Sequence, residues 1–401
     1  MASSPNTETM IARWADYAAE MASARYNGDE TGELVVLGSG ISIIDLTRDA
    51  EKELCSADAV FHCVYDKVTQ AWIGELRPDA YDLCILYDED VERHLTYVRM
   101  AEAILHRVRC GQKVVAFFYG HPGIFAMPAH RAVHIARHEG HRARMRAGVS
   151  ALDHLVADIG FDPALPGMAS FEATDLLLRG RQIDPTLHIV LWQVGVVGEF
   201  QFKPGGFENT GYSELAARLI EVYGEDWEVT HYIAPQYVGI DPLIERIRIG
   251  ALLEPEQRKN ISSLSTFYIE PKDGVLTDIE MSSRFGRERN GASDRPRQPL
   301  RTYDYVRYGP REAKALRFFG NFTAPDHYRL APQTPEYRFM LGLSDDLELE
   351  RRYREDPAAT VIESDLTVRD QRTAQLLAIP HPRAIDAALG DLEISEQVKS
   401  R

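Results

Sequence analysis

The side chains whose types and spacing suit chemistry fall in a few short stretches. Arg93 and Tyr97 stand four residues apart in R-H-L-T-Y-V-R-M, a run that reads as a helix continuing to Cys110 and stopping at Gly111, so a cation and a phenol share one face. From the spacing alone the pair reads as an exposed cation resting on its neighbour's ring. A second stretch is Gly120-His121-Pro122-Gly123. Two glycines and a proline force a turn there and let a ligand approach the backbone closely, although a tight turn without a ligand reads the same way. His121, next to Pro122, suits a turn better than a base. A third is Gly38-Ser39-Gly40-Ile41-Ser42-Ile43, where a strand meets a glycine turn. A dinucleotide phosphate can sit on such a loop, but that fingerprint wants glycine where Ile43 stands. Finally, Ser150 opens a helix after Gly148-Val149, where it can cap the first N–H groups or leave them to a ligand.

The elements that must position these residues read as α/β. Val114 to Tyr119 is an unbroken apolar run of strand length, expected to be buried on both faces, and a helical pattern (Ala129, Ala132, Val133, Ala136) follows it up to Gly140. Ligands in open α/β sheets bind beside the carboxyl ends of strands, where this crossing lies. Further strands are predicted at Leu34 to Leu37, at Ala59 to Tyr65 and, after an irregular segment, near Tyr81 to Asp88. Helices are predicted at Thr9 to Arg25 and at Leu46 to Leu54. Gly140 to Arg146 reads as a basic connection. Beyond Asp162-Pro163 and Pro166-Gly167 the pattern restarts, with strands at Met168 to Phe171, His188 to Val194, Trp227 to Ala234 and Leu264 to Ile269, and helices at Ser213 to Tyr223 and Pro242 to Leu253. Periodicity is lost from Lys272 to Pro310. It returns as helix from Thr334 to Gly390, with a capping-box-like Thr367-Val368-Arg369-Asp370, and no internal repeat is visible.

Composition narrows the class. A chain of 401 residues, 44% hydrophobic and 26% charged, is a soluble globular protein of two or three domains. A formal charge of −16 argues against a general nucleic-acid surface. No apolar run reaches membrane-spanning length and Met-Ala-Ser-Ser-Pro-Asn lacks a signal peptide's pattern, so a cytoplasmic location is expected. Cys55, Cys63, Cys84 and Cys110 show neither C-x-x-C spacing nor a histidine cluster, so no metal is expected.

Taken together, Gly38-Ser39-Gly40, Tyr119-Gly120-His121-Pro122-Gly123, Gly148-Val149-Ser150 and Gln193-Val194-Gly195 resemble, in order and spacing, the tetrapyrrole-methylase-type S-adenosylmethionine methyltransferases. From Leu34 to Pro271 the sequence is more closely similar to the borosin peptide backbone α-N-methyltransferases, the omphalotin-precursor family. F-Y-G-H-P-G, H-R-A-R-M-x-x-G-V-S-A, His231-Tyr232-Ile233-Ala234 and Ser265-Thr266-Phe267-Tyr268-Ile269 carry that similarity. The resemblance implies a tetrapyrrole methylase-like, two-domain α/β methyltransferase with an N-terminal helix and a C-terminal helical clasp or binding module. The expected divisions are 1–32 (N-terminal helix), 33–162 and 163–271 (the two α/β domains), 272–333 (linker or clasp), 334–390 (helical substrate-binding module) and 391–401 (tail). It implies an S-adenosylmethionine cleft, with S-adenosylhomocysteine as product and no metal, lined by Tyr119, His121, Ile124, Phe125, Ser150, Ala151, Gln193, Tyr232, Ala234, Ser265 and Thr266. The family's tyrosine and arginine group beside the transferable methyl maps to Tyr87, Arg93 and Tyr97. A further family tyrosine, three residues before Tyr87, is Cys84 here.

The chemistry fits these residue types. An amide nitrogen is a poor nucleophile because its lone pair is delocalised, so charge on the carbonyl oxygen must be stabilised as the N–H is lost. Arg93 and a tyrosine hydroxyl suit that task. Tyr97 or Tyr87 is then the proton acceptor, directly or through water. The expected partners are a second copy of the chain, interlocked through the C-terminal region, and a peptide substrate in cis or in trans. The tail Asp391-Leu392-Glu393-Ile394-Ser395-Glu396-Gln397-Val398-Lys399-Ser400-Arg401 is short and charged, which favours a separate peptide. Rival readings are a tetrapyrrole or other small-molecule methyltransferase on the same fold, and a non-catalytic carrier of S-adenosylmethionine.

Overall fold

A computed structural model describes residues 5–26, 30–203, 206–274, 278–285, 308–325, 334–364 and 371–389. The chain forms two compact units, one of residues 1–50 with 54–305 and the other of residues 51–53 with 306–401.

The first unit opens with α1 (Pro5–Ser23), then alternates β1 (Glu33–Gly38), α2 (Ala50–Ser56), β2 (Ala59–Cys63), α3 (Lys67–Leu76), β3 (Tyr81–Asp82), α4 (Arg93–Arg109), β4 (Lys113–Phe118), α5 (Met127–His138), β5 (Arg142–Met145) and α6 (Ala151–Ile159). The five strands make one sheet in the order β3-β2-β4-β1-β5, every pair parallel. The apolar run at its centre is explained by burial on both sides. Leu34, Val36, Phe61, Ala116 and Phe118 face a core shared with α1, α4 and α5, while Val35, Leu37, Val60, Val115 and Phe117 face α2 and α3. Each residue step along a strand changes the face, so consecutive apolar residues serve two cores.

A second sheet follows from β6 (Met168–Glu172), α7 (Ala173–Leu178), β7 (His188–Trp192), α8 (Tyr212–Tyr223), β8 (Glu228–Ile233), β9 (Leu243–Arg248), the short α9 (Pro255–Arg258), β10 (Thr266–Ile269) and α10 (Ile279–Arg284). Its order is β6-β7-β10-β8-β9, with β6 and β7 parallel and the other pairs antiparallel. One face packs Ile189, Leu191, Val229 and Phe267 on α7 and α8. The other packs Val190, Trp192, Tyr232 and Tyr268 with Leu155 of α6.

Several sequence expectations are corrected. Leu46 to Leu54 is not one helix: Asp45 takes the N–H groups of Ile41 and Ser42, which winds Ile43–Asp45 into a single tight turn, and α2 starts only at Ala50. The irregular segment before Tyr81 contains α3, capped by Asp66 accepting from Thr69 N. The basic connection is the edge strand β5, paired with β1, its Arg142 and Arg144 reaching Glu33. Pro242 to Leu253 contains β9 rather than a helix; its apolar spacing suits both periods, and the open edge of β8 decides the outcome by pairing from Glu228↔Arg248 to Ile233↔Leu243.

The second unit is helical: α11 (Pro310–Phe319), α12 (Pro335–Asp345), α13 (Leu347–Glu355), α14 (Pro357–Glu363), α15 (Gln371–Leu377) and α16 (Pro382–Leu389). Phe339, Tyr353, Val361, Leu377 and Ala388 give it a small core of its own. Asp346 separates α12 from α13 by accepting from Glu348 N and Leu349 N. The helix α11 falls in the stretch read as linker. The capping box at Thr367, the tail 391–401 and most of 272–310 lie outside the described residues. Among the described residues no helix is long and apolar enough to cross a membrane.

Candidate active site

The carboxyl ends of β1 to β4 open into a cleft of about 880 Å³ in the first unit, closed on its far side by residues that follow β7 and precede β10. The crossing after β4 forms its floor. Gly120 holds φ +69, a left-handed conformation that disfavours any side chain, and its N–H donates to Gly40 O at 2.9 Å. A methyl on Gly38 would lie 2.2 Å from Gly120 O, so these glycines pack the two loops against each other. His121 lines the cleft while its Nδ1 accepts the N–H of Gly123 at 2.9 Å, the turn role its neighbour Pro122 suggests.

Two alternatives left open by the sequence are decided here. Asp45 Oδ2 accepts from Ile41 N at 2.9 Å and Ser42 N at 3.0 Å and also meets His154 Nε2 at 2.9 Å. A carboxylate of the chain therefore holds the donors that a dinucleotide phosphate would need. At α6, Ser150 Oγ accepts from Leu152 N and donates to Asp153 Oδ2 at 2.6 Å, and Ser150 N donates to the same carboxylate at 2.7 Å. The cap is closed internally; Ser150 contributes its side to the cleft wall rather than free N–H groups.

Of the residues singled out from sequence, Tyr119, His121, Ile124, Phe125, Ser150, Ala151, Gln193, Ser265 and Thr266 come together on this lining, and so do Tyr87, Arg93 and Tyr97. Tyr232 and Ala234 stand outside it. Tyr232 is buried behind the wall, donating to Asp158 Oδ2 at 2.7 Å, and Ala234 packs in the same layer. Phe125 and Gln193 adopt left-handed backbones, φ 53 and 57, which aims two non-glycine residues at the same cavity at a cost of about 1–3 kcal/mol each. Phe125 meets Trp192 edge to face with centroids 6.0 Å apart.

Tyr87 and Tyr97 meet edge to face at 6.4 Å, one contributed by the turn after β3 and the other by the first turns of α4. Arg93, the first residue of α4, donates from its guanidinium to Glu199 O and from its backbone N to Phe200 O at 2.9 Å. Its guanidinium carbon lies 5.9 Å from the centroid of Phe207, and Phe202 stacks on Tyr87 at 4.7 Å. Burial pushes the Tyr87 phenol far above the ordinary tyrosine range, helped by Cys63 and Tyr97 nearby. Burial likewise raises Tyr119 to about 12, against a lowering by Gln236, whose Nε2 donates to its hydroxyl at 3.4 Å. Cys84, in the place of the family's tyrosine, has its Sγ 3.6 Å from Cys63 Sγ; that contact, then burial, raises its thiol pKa. Among the described residues no group of three or more His, Cys, Asp or Glu side chains is arranged to hold a metal ion.

Sequence reasoning missed Phe202, Phe207, Trp192, Gln236 and Tyr237 on the lining. The run Phe200-Gln201-Phe202-Lys203-Pro204-Gly205-Gly206-Phe207 is rich in aromatics, but that alone marks no site, since Phe200 within it is 54% exposed.

Residues 33–195 match the family of tetrapyrrole (corrin/porphyrin) methylases. A methyltransferase/ribosomally synthesized type I borosin cyclic peptide precursor of Serendipita vermifera subsp. bescii is 38% identical over 340 residues, covering 82% of this chain and 83% of the relative. The methyltransferase/cyclic peptide omphalotin A precursor of Omphalotus olearius is 36% identical over 86% of each. A type III borosin precursor of Anomoporia bombycina is 37% identical over 89% of this chain, and there the chain spans only 44% of the relative. A tetrapyrrole-methylase fold whose sequence aligns with such precursors over more than four-fifths of both chains places this protein in the borosin methyltransferase/peptide-precursor family.

Proposed function

We propose that this chain methylates backbone amide nitrogens of a peptide, using S-adenosylmethionine and releasing S-adenosylhomocysteine. The observation that carries the reading is that Tyr87, Arg93 and Tyr97 share one cleft with Tyr119, Phe125, Gln193 and Thr266. The lining fits the cofactor: aromatic surface at Phe125 and Trp192 suits an adenine, and Gln193, Ser265 and Thr266 supply polar atoms for the ribose and amino-acid ends. When bound, S-adenosylmethionine supplies an activated methyl on a sulfonium, so no metal is required.

The chain's own residues then have separable tasks. Arg93 carries five donors, and the bond to Glu199 O leaves others for a substrate carbonyl oxygen. Burial keeps Tyr87 protonated, which suits it to donate to that same oxygen as negative charge develops there. Tyr97, beside it on α4, then takes the amide proton, directly or through water, as its own hydroxyl proton passes on to solvent. The walls hold the amide and exclude competing water.

We assign this work to residues 33–271 and the handling of the peptide to 334–390, with the substrate in cis or in trans. The protein is proposed to act as a cytoplasmic homodimer. Leu316, Phe318, Phe319 and Phe322 are 54–71% exposed on and just after α11, and a second copy of the chain is the surface proposed to cover them. Tandem mass spectrometry of the chain and of added apolar peptides after incubation with S-adenosylmethionine tests the reading. Methyl groups on backbone nitrogens support it; methylation confined to side chains or to a small molecule overturns it.

A further inference from the structure

We infer that Asn209 is a positioning residue for Arg93, acting through the loop that crosses from the second sheet to α4. The kinetic part of this inference rests on the peptide-methylation reading above. Asn209 touches none of the reacting groups. It holds a left-handed backbone, φ 55, and its side chain ties the two ends of the loop together: Oδ1 accepts from Val197 N at 2.8 Å and Nδ2 donates to Val194 O at 2.9 Å. The backbone closes the same join, with Gly211 N donating to Val197 O at 2.9 Å and Tyr212 N to Asn209 O at 3.1 Å.

What leaves this join is the set of contacts on the tyrosine and arginine group. Gly198, φ +78, turns the chain outward with its N–H on Thr174 Oγ1 at 3.1 Å. Glu199 follows, buried to 6% exposure, its carboxylate taken by Lys203 Nζ at 3.2 Å and by Thr210 N at 3.3 Å. That anchoring leaves Glu199 O for the Arg93 guanidinium and Phe200 O for the Arg93 N–H, while Gln201 bridges to Glu92. Phe202 then reaches Tyr87 and Phe207 reaches Arg93. Arg93 is at the first turn of α4, where no helical carbonyl accepts its N–H. The loop supplies that acceptor, so the direction of the guanidinium depends on where residues 199 and 200 are held, and Asn209, through Val194 and Val197, fixes the stretch from which they extend.

The test uses the full chain with Asn209→Gly, which keeps the left-handed backbone and removes both side-chain bonds, and Asn209→Asp, which keeps the Oδ1 acceptor and removes the Nδ2 donor. Two readouts are taken: amide hydrogen exchange at Arg93, which requires no turnover, and methylation kinetics with a peptide acceptor. Asn209→Gly is expected to exchange at Arg93 at least tenfold faster and to lose about tenfold in kcat, with calorimetric affinity for S-adenosylmethionine within twofold of the parent; Asn209→Asp, which sets a carboxylate oxygen against Val194 O, should lose at least as much. Unchanged exchange at Arg93 in both variants overturns the inference, as does a loss of cofactor affinity equal to the loss in kcat. If the parent methylates no peptide backbone, the functional reading fails, while the exchange result still decides the role of Asn209.

Discussion

Replacing Arg93 separates a catalytic from a structural role because its two kinds of contact are separately removable. Arg93→Ala deletes the guanidinium with its bond to Glu199 O and its approach to the Phe207 ring, but keeps the backbone N–H on Phe200 O. The structural part is a charge-assisted hydrogen bond, worth about 1.5–3 kcal/mol, plus a cation–ring contact of about 0.5–1 kcal/mol at a part-exposed site. Those losses act on loop and helix in the resting protein and lower its stability. The catalytic part is one donor on a carbonyl oxygen that becomes charged only in the transition state, about 3 kcal/mol or roughly 100-fold in kcat. Arg93→Ala is therefore expected to lose about 100-fold or more in kcat while calorimetric affinity for S-adenosylmethionine changes less than fivefold. Arg93→Lys should recover little, since one ammonium cannot bond Glu199 O and a substrate oxygen with the fork geometry of a guanidinium. Single-turnover rates and titration calorimetry on the same preparations give both numbers. Equal losses of rate and affinity, or a lysine variant within a few-fold of the parent, would refute the argument.

Three further outcomes follow from the structure. Gly120→Val forces a β-branched residue to φ +69, so unfolding by urea should show a loss of about 1–3 kcal/mol together with abolished cofactor binding; unchanged calorimetric affinity would move the cofactor site elsewhere. Tyr119 keeps its proton to about pH 12 when folded but releases it near 10.0 when unfolded, so its contribution is complete below pH 10.0 and lost as pH rises to about 12; Tyr119→Phe should flatten the alkaline fall in stability by up to about 1.4 kcal/mol per pH unit, measured by denaturant titration inside that window. Tyr353→Phe removes the 2.6 Å bond to Leu377 O in the helical unit and should cost about 1–2 kcal/mol in unfolding free energy, whereas a neutral result would mean that water replaces the hydroxyl.

The parallel sheet was legible because its strands are apolar on both faces: Val114 to Phe118 reads as a buried strand whatever surrounds it. The edge strand β5 was not, since Arg142 and Arg144 carry no burial signal and take their place by pairing with β1 and Glu33. The same holds for β9, where pairing to β8 outweighs an apolar spacing compatible with a helix. At the site, glycine turns and the Arg93–Tyr97 spacing were readable as local geometry, while the roles of Tyr87, Arg93 and Tyr97 entered through the family resemblance. Tyr232 reads like a site residue because it stands in a matching motif, yet its ring fills the layer behind the wall. Phe202 and Phe207 were missed because a loop aromatic need not be covered at all, as the 54% exposed Phe200 beside them shows.

The glycine loops after β1 and β4 therefore do different work, although their sequences look alike. After β1, the donors of Ile41 and Ser42 are closed by Asp45, and Gly38 and Gly40 are small because Gly120 O and Asp45 Cβ stand 2.2 and 2.1 Å from where their methyl groups would be. This loop is a packing surface on which the next one rests. After β4, Gly120 turns the chain with a position for Cβ that meets nothing nearer than Ile41 Cδ1 at 3.7 Å, so its glycine answers a backbone conformation rather than crowding. The cleft thus takes its floor from a turn braced by a filled loop, with Tyr87, Arg93 and Tyr97 beside it at the neighbouring strand and helix ends. At the loop after β1, phosphate-binding logic, in which glycine loops present free N–H groups, does not operate, because Asp45 already accepts from Ile41 N and Ser42 N.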